Sequence, residues 1–320
     1  MWAVAFHPDG MHFLGGTTLG IRRWRVADGQ EVGKQTGMNI NAISVSRDGK
    51  WIVCGTTAGT SVWDAELQRK VVEVEDTNYV CAIDVSPEST RFASGTGSID
   101  RKASIWSITT GERLVGPLDH GRAVNGIKFS PDGRHIATAC PDAIRIFDSY
   151  NGDQLIVIDN PMPDNVAMTP IVRPFDGRVF AISEGGKIKS FDTTTGSQLA
   201  EWPIDNSGNI VTPIALSENN RFIAFAAGRC ISFWDTSTHT QLGSLLENVD
   251  LIHSVTLSPD GIHLATGEHH ETITIWNLSD VLLESFLPIT VSTTFRMLGR
   301  PMTFVCRSTF LLIIVLFPRM

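Results

Sequence analysis

Short runs that alternate apolar and polar residues recur along the whole chain, as in Ala3-Val4-Ala5-Phe6 and Val255-Thr256-Leu257. A period of two places one set of side chains against a core and the other toward water, so each run predicts a half-buried strand. Several runs stop at Pro-Asp-Gly, where proline presets one dihedral angle and glycine accepts a positive one, which predicts a tight turn. A second strand then follows and often ends in small residues, as in Phe92-Ala93-Ser94-Gly95 and Leu264-Ala265-Thr266-Gly267. After a polar tip comes a third strand, such as Ala143-Ile144-Arg145-Ile146-Phe147, and after a polar turn a fourth, such as Arg69-Lys70-Val71-Val72-Glu73-Val74. Within 1–287 no stretch has the periodicity of an amphipathic helix of three turns, so the expected class is all-β.

These runs belong to a repeat. The first turn reads HPDG at His7–Gly10, SRDG at Ser46–Gly49, SPES at Ser86–Ser89, SPDG at Ser130–Gly133, PFDG at Pro174–Gly177, SENN at Ser217–Asn220 and SPDG at Ser258–Gly261. Each is followed by an aromatic residue on the third strand: Trp24, Trp63, Trp106, Phe147, Phe191, Trp234 and Trp276, spaced by 39, 43, 41, 44, 43 and 42 residues. Seven units in register at this period mark a repeat architecture, in which one unit cannot bury both its faces alone.

The turn-plus-aromatic pairs resemble those of the WD-repeat family, whose units each build one propeller blade. The resemblance implies a seven-bladed β-propeller of four-stranded antiparallel blades over 1–287, with 288–320 as a basic and apolar tail outside the pattern. It also implies, in a well-formed blade, a hydrogen-bonded chain of His, Ser or Thr, Asp and the Trp indole. Transferred position by position, blade 3 keeps Ser94, Asp100 and Trp106 but has Asp76 at the histidine position. Blade 4 keeps His120, Thr138 and Asp142, with Phe147 in place of Trp. Blade 7 keeps Thr266 and Trp276, with Asn248 and His270 at the other two places. The other blades retain little beyond the aromatic anchors Trp24, Trp63, Phe191 and Trp234, so their cohesion should come from apolar packing. The fifth, with its irregular Arg173–Gly177 turn, should be the loosest. Because Val4 of the first strand lies so close to Met1, no earlier strand is available to complete the last blade. Val281–Leu287 is then expected to supply its outer edge; the alternative is a chain whose upstream part is missing.

Charge narrows the partner class. Lys and Arg number 26 against 34 Asp and Glu, for a net charge of −8. No acidic residue follows Glu284, and four arginines do, leaving 22 basic against 34 acidic residues on 1–287. An acidic surface of this kind argues against nucleic acid as the main partner. The five cysteines are scattered without a C-x-x-C pair, which reads as reduced thiols in a cytoplasmic or nuclear protein. The tail run Phe310–Phe317 is far shorter than the ~20 residues a membrane-spanning helix needs, so no transmembrane span is expected. An extra strand against the propeller, a misjoined segment, a sticky end and a weak anchor remain as readings of the tail.

Candidate chemistry is thin. His253, His263, His269 and His270 fall in the last repeat with Glu268 and Glu271, but His263 begins a strand at the opposite end from the others, so convergence on a metal is not expected. Gly15-Gly16-Thr17-Thr18 lacks the lysine and helix of a phosphate loop, and no nucleophile motif is present. No catalytic residue, metal or cofactor is therefore assigned, and the expected role is a non-enzymatic scaffold for protein partners, monomeric within a complex. The loops joining successive repeats supply the candidate contacts: Met38, Asn39, Tyr79, Arg122, Met162 and Asn165, with Tyr and Arg favoured because both are frequent interface anchors. The alternatives are a recognition propeller within a larger protein, of the NACHT-type or ligase-adaptor kind, and an enzyme using the propeller channel.

Overall fold

Five of the seven first turns open with serine, at Ser46, Ser86, Ser130, Ser217 and Ser258, and the reason is local. Each hydroxyl accepts the N–H of the residue that starts the next strand, at 2.8–3.1 Å for Trp51, Arg91, His135, Phe222 and His263. Four of the five also donate to an acceptor two residues on, Ser46 to Asp48 and Ser130 to Asp132 among them. The glycine that follows adopts a positive φ, +74° at Gly49 and +72° at Gly133, and Ser89 and Asn220 take the same left-handed conformation where glycine is lacking. The turn chemistry alone therefore reverses the chain.

The computed structural model describes residues 3–33, 36–66, 68–74, 79–97, 99–161, 171–172, 176–183, 187–203, 213–269, 272–282, 286 and the backbone of 302–305. The strands form seven antiparallel sheets, in each of which spatial order follows chain order. The innermost strands are Ala3–Phe6, Ile40–Val45, Val80–Val85, Gly126–Phe129, Ile171–Val172, Ile214–Leu216 and Ile252–Leu257. Each packs beside the next, and the last beside the first, so the sheets form the blades of a closed ring.

The core lies between blades. Val53, Val62 and Val72 of blade 2 meet Phe92, Trp106 and Ile108 of blade 3. The ring closes where Val4, Phe13 and Trp24 of blade 1 pack on Ala265, Ile273 and Ile275 of blade 7. The small residues that end the second strands permit this approach: a Cβ on Gly55 would lie 2.7 Å from Val80 Cγ1, and one on Gly95 2.7 Å from Val124 Cγ1. Polar clasps add to it, with Val4 N–H donating to Ser254 Oγ and Phe129 N–H to Asp84 Oδ2.

The fold is the expected seven-bladed propeller; among the described residues blade 1 carries three strands, and after Gly20–Arg25 its fourth edge is one bridge, Trp24 to Glu31. Gly33 and Gly37 lie in this segment, and glycine weakens a strand because it has no side chain to pack. One expectation is corrected. In blade 7 the outer strand is Met302–Val305 rather than Val281–Leu287, for Asn277 caps a short 3₁₀ turn at Leu278–Asp280 that carries the chain away from the edge. Residues 173–175 of the fifth turn lie outside the described residues.

Candidate functional site

In a four-stranded meander the first and third connections share one end of the blade, and the second connection shares the other end with the link to the next blade. That second end gathers most of the loop residues singled out above. Tyr79 opens blade 3 with 45% of its surface exposed, and its carbonyl accepts from Gly97 N–H, which binds the incoming link to the neighbouring tip. Ile99 projects from that tip at 79% exposure. Arg101 Nη1 reaches Gly121 O at 3.1 Å, which places exposed Arg122 beside it. Asn39 is exposed, whereas Met38 is half-buried against the cluster of Leu14, Ile21 and Ile52. Met162 and Asn165 lie outside the described residues.

A second prominence stands at blades 6 and 7, where Val249 is 78% exposed and Leu251 is exposed beside it. Asn248 N–H and Ile252 N–H donate to Arg229 O and Gly228 O, which pins that link at both ends. Ile99, Val249 and Leu251 are not among the candidate contacts singled out from the sequence. The available signal was an apolar residue inside an otherwise polar tip, as in Asp100 after Ile99 and Asp250 between Val249 and Leu251.

Beneath these loops the polar networks hold the tips, with some changes of partner. In blade 3 Trp106 Nε1 donates to Ser94 Oγ at 2.8 Å, and Asp100 lines a small cavity with Ser94, Lys102 and Arg113. In blade 4 His120 Nδ1 lies 2.9 Å from Leu118 O, and a carbonyl can only accept, so Nδ1 carries the proton and Nε2 accepts from Thr138 Oγ1 at 2.9 Å. Burial holds the His120 pKa below its ordinary value. Asp142 stands outside this chain of bonds and pairs with Arg145 at 2.6 Å. Phe147 packs against the His120 ring instead of bonding to the network.

Blade 7 is rebuilt around Glu268. Its Oε1 accepts from Asn248 Nδ2 at 2.7 Å, Thr274 Oγ1 at 2.5 Å and Thr266 Oγ1 at 3.2 Å, while Trp276 Nε1 has no partner among the described residues. Burial raises the Glu268 pKa despite those three bonds, the desolvation outweighing them. His270 lies outside the described residues. In blades 2 and 6 the indoles of Trp63 and Trp234 donate to Ser61 and Ser232, two residues back on their own strands. Trp24 stacks on Phe13, and Phe147 and Phe191 are buried.

The ring encloses a cavity of about 620 Å³ lined by Val4, Ile43, Ala215 and Val255 and by the ion pair of Lys128 Nζ with Asp84 Oδ1 at 2.7 Å. At one mouth Arg47 and Glu218, which replace the turn proline in blades 2 and 6, approach to 3.9 Å. His253 and His269 pack ring to ring, 5.5 Å between centroids. Among the described residues no three His, Cys, Asp or Glu side chains are placed to hold a metal ion, and no described helix is long and apolar enough to cross a membrane. Burial pushes the thiols of Cys81 and Cys140 up to about 12 and that of Cys54 higher still, so none supplies a thiolate nucleophile at neutral pH.

The repeat described as "WD domain, G-beta repeat" matches residues 69–107, 113–148 and 240–277. Each matched stretch begins around the outer strand of one blade and ends on the third strand of the next. The chain is 23% identical over 310 residues to Apoptotic protease-activating factor 1 of Rattus norvegicus, covering 95% of this chain and 24% of that protein. It is 22% identical over 310 residues to Autophagy-related protein 16 of Arabidopsis thaliana, covering 92% and 52%. To Protein FIZZY-RELATED 3 of Arabidopsis thaliana it is 27% identical over 254 residues, covering 76% and 51%. The chain thus spans between about a quarter and a half of the length of these curated relatives. With seven antiparallel sheets in a ring, the chain is a β-propeller, and the WD repeat is matched at three places along it.

Proposed function

We propose that this propeller is a protein-docking scaffold without catalysis of its own, and that it captures partners on the face bearing Tyr79, Ile99 and Arg122, with Val249 and Leu251 as a second contact area. The observation that carries this reading is the pair of apolar tips, Ile99 and Val249, each more than three-quarters exposed on loops pinned to rigid sheets. Exposed aliphatic and aromatic groups cost little to desolvate, and a preorganised loop loses little entropy on binding. The free thiols of the described cysteines fit a reducing compartment, cytoplasm or nucleus. Affinity capture with quantitative mass spectrometry tests the reading: the Tyr79→Ala, Ile99→Asp, Arg122→Ala triple variant should lose a common set of partners while melting at the wild-type temperature. Equal capture by this variant would remove the assignment of this face.

A second reading places the same face within a longer polypeptide as its recognition module. It is favoured by the alignment to Apoptotic protease-activating factor 1, which takes in 95% of this chain but 24% of that protein. Transcript sequencing across both ends decides between them.

A further inference from the structure

On the rim of the ring the outer strand of blade 4 is Gln154–Asp159, with four consecutive aliphatic residues, Leu155-Ile156-Val157-Ile158. Among the described residues it is the last strand of its sheet, bonded on one side to Ala143–Asp148, so its other row of N–H and C=O groups faces outward. Charged residues and proline are the usual guards against strand addition at such an edge. The outer strand of blade 2 carries Lys70 and Glu73, that of blade 3 Pro117 and that of blade 5 Glu201. Between Leu155 and Ile158 blade 4 has no such guard.

The two faces of this strand differ. Ile158 is buried and Ile156 half-buried where blade 5 packs so closely that a Cβ on Gly196 would lie 3.1 Å from Ile156 Cγ2. Leu155 and Val157 are instead 49% and 47% exposed. A bulge leaves Leu155 out of the pairing with Ile146 and Phe147, so the regular edge is Ile156–Asp159. Four residues are enough to seat a strand in this ring, as Met302–Val305 shows on the edge of Thr272–Asn277. Exposed acids stand at both ends of the aliphatic run, Asp153 and Asp159. Arg145, opposite Val157 on the adjoining strand, is taken up by Asp142 at 2.6 Å. An edge with acidic ends suits a strand with basic ends, whereas a second copy of the same edge, laid antiparallel, would set acid against acid.

We propose that this edge takes an extended segment of a protein partner as a fifth strand of blade 4, antiparallel to Gln154–Asp159, in which a Lys or Arg faces Asp159 and a Val or Ile two residues later faces Val157. Main-chain hydrogen bonds to the outward row supply the affinity, and these side chains select the partner. The spacing of two follows from alternation along an extended backbone, and the order, basic residue first, from antiparallel pairing. A second basic residue beyond the aliphatic positions meets Asp153.

The test measures binding of the full chain to the capped peptide Lys-Thr-Val-Thr-Val-Thr-Lys, to the same peptide with Glu at both ends, and to one with Pro in place of the central Thr. The first should bind, the second at least about tenfold more weakly, and the third not at all, because proline removes a ladder N–H. Hydrogen exchange should slow on binding within Ile156–Asp159 and stay unchanged around Ile99. Val157→Lys should weaken the Lys-ended peptide by about tenfold or more, Val157→Thr should retain it, and Asp159→Lys should turn the preference to the Glu-ended peptide. All three positions of substitution are exposed, so each variant should melt near the wild-type temperature. The Tyr79→Ala, Arg122→Ala variant should bind the Lys-ended peptide normally, which separates this edge from the loop face. Equal binding of the three peptides, protection confined to other strands, or indifference to Val157→Lys would each overturn the proposal. So would self-association of the wild-type chain that Val157→Lys abolishes, which would give the edge to a second copy.

Discussion

The guanidinium of Arg91 donates to the carbonyl of Ser149, 2.9 Å away and one blade further on. Its Nη2 also donates to Gly133 O at 3.0 Å and its Nε to Glu88 at 2.7 Å, while Tyr150 covers its face at 4.3 Å. The same offset of 58 residues recurs where Arg178 donates to Thr236 O, so the device staples blade 3 to blade 4 and blade 5 to blade 6. Arg91→Leu should therefore cost about 2–4 kcal/mol, because two carbonyls and a carboxylate lose a buried charged donor. Arg91→Lys should recover only part of this, as an ammonium cannot span the fork. Urea titration of the three proteins checks both points.

The left-handed turn position yields a prediction of opposite sign. Ser89 holds φ +61° where five other repeats have glycine, and its side chain gains only a long contact from Asp48 N–H at 3.4 Å. Ser89→Gly should stabilise the chain by about 0.5–1 kcal/mol, the relief of strain exceeding the added freedom of the unfolded state. Asn220→Gly should be nearly neutral, because asparagine tolerates this conformation. Thermal melts at one scan rate compare the pair.

Two tryptophans at equivalent positions should respond differently to the same substitution. Trp106 Nε1 bonds Ser94, and Trp276 Nε1 has no partner among the described residues. Trp106→Phe should therefore cost about 1 kcal/mol more than Trp276→Phe, since both lose similar ring area but only the first loses a hydrogen bond. Chemical denaturation gives the difference directly; equal costs would contradict the assigned partners.

Glu268 gives a pH signature. Its folded pKa is raised above the ordinary 4.5. Between the unfolded and folded values the folded state binds more protons, so this group's contribution to stability falls as pH rises through that window and then stays constant. Glu268→Gln keeps an acceptor for Thr274 and cannot ionise. Relative to wild type, the variant should be about as stable below the unfolded value and more stable at neutral pH. Parallel denaturation curves from acid to neutral pH measure that growing gap, and a gap that shrinks with rising pH would reverse the assignment.

Much of the fold was legible because it is written in neighbours along the chain. Ser-Pro-Asp-Gly specifies its own hairpin turn, and the alternating strands around it follow from a period of two. The aromatic spacing identifies the repeat. Legibility failed where one repeat borrowed from another part of the chain. The network position assigned to His270 gave no hint that Glu268 would be the buried acid, because both residues sit beside the same tip and only packing chooses between them. Ile99 is not among the candidate contacts, since its exposure depends on what stands opposite.

By itself, then, the sequence determined the hairpins, the seven repeats and the aromatic anchor of each blade, all governed by residues close together in the chain. Only the tertiary structure decided that Arg91 would meet Ser149, that Arg47 would approach Glu218 at the channel mouth, and that Met302–Val305 would complete the seventh blade. Those partners are brought together by closure of the ring, and closure depends on how every blade packs on its neighbours, which no single repeat encodes.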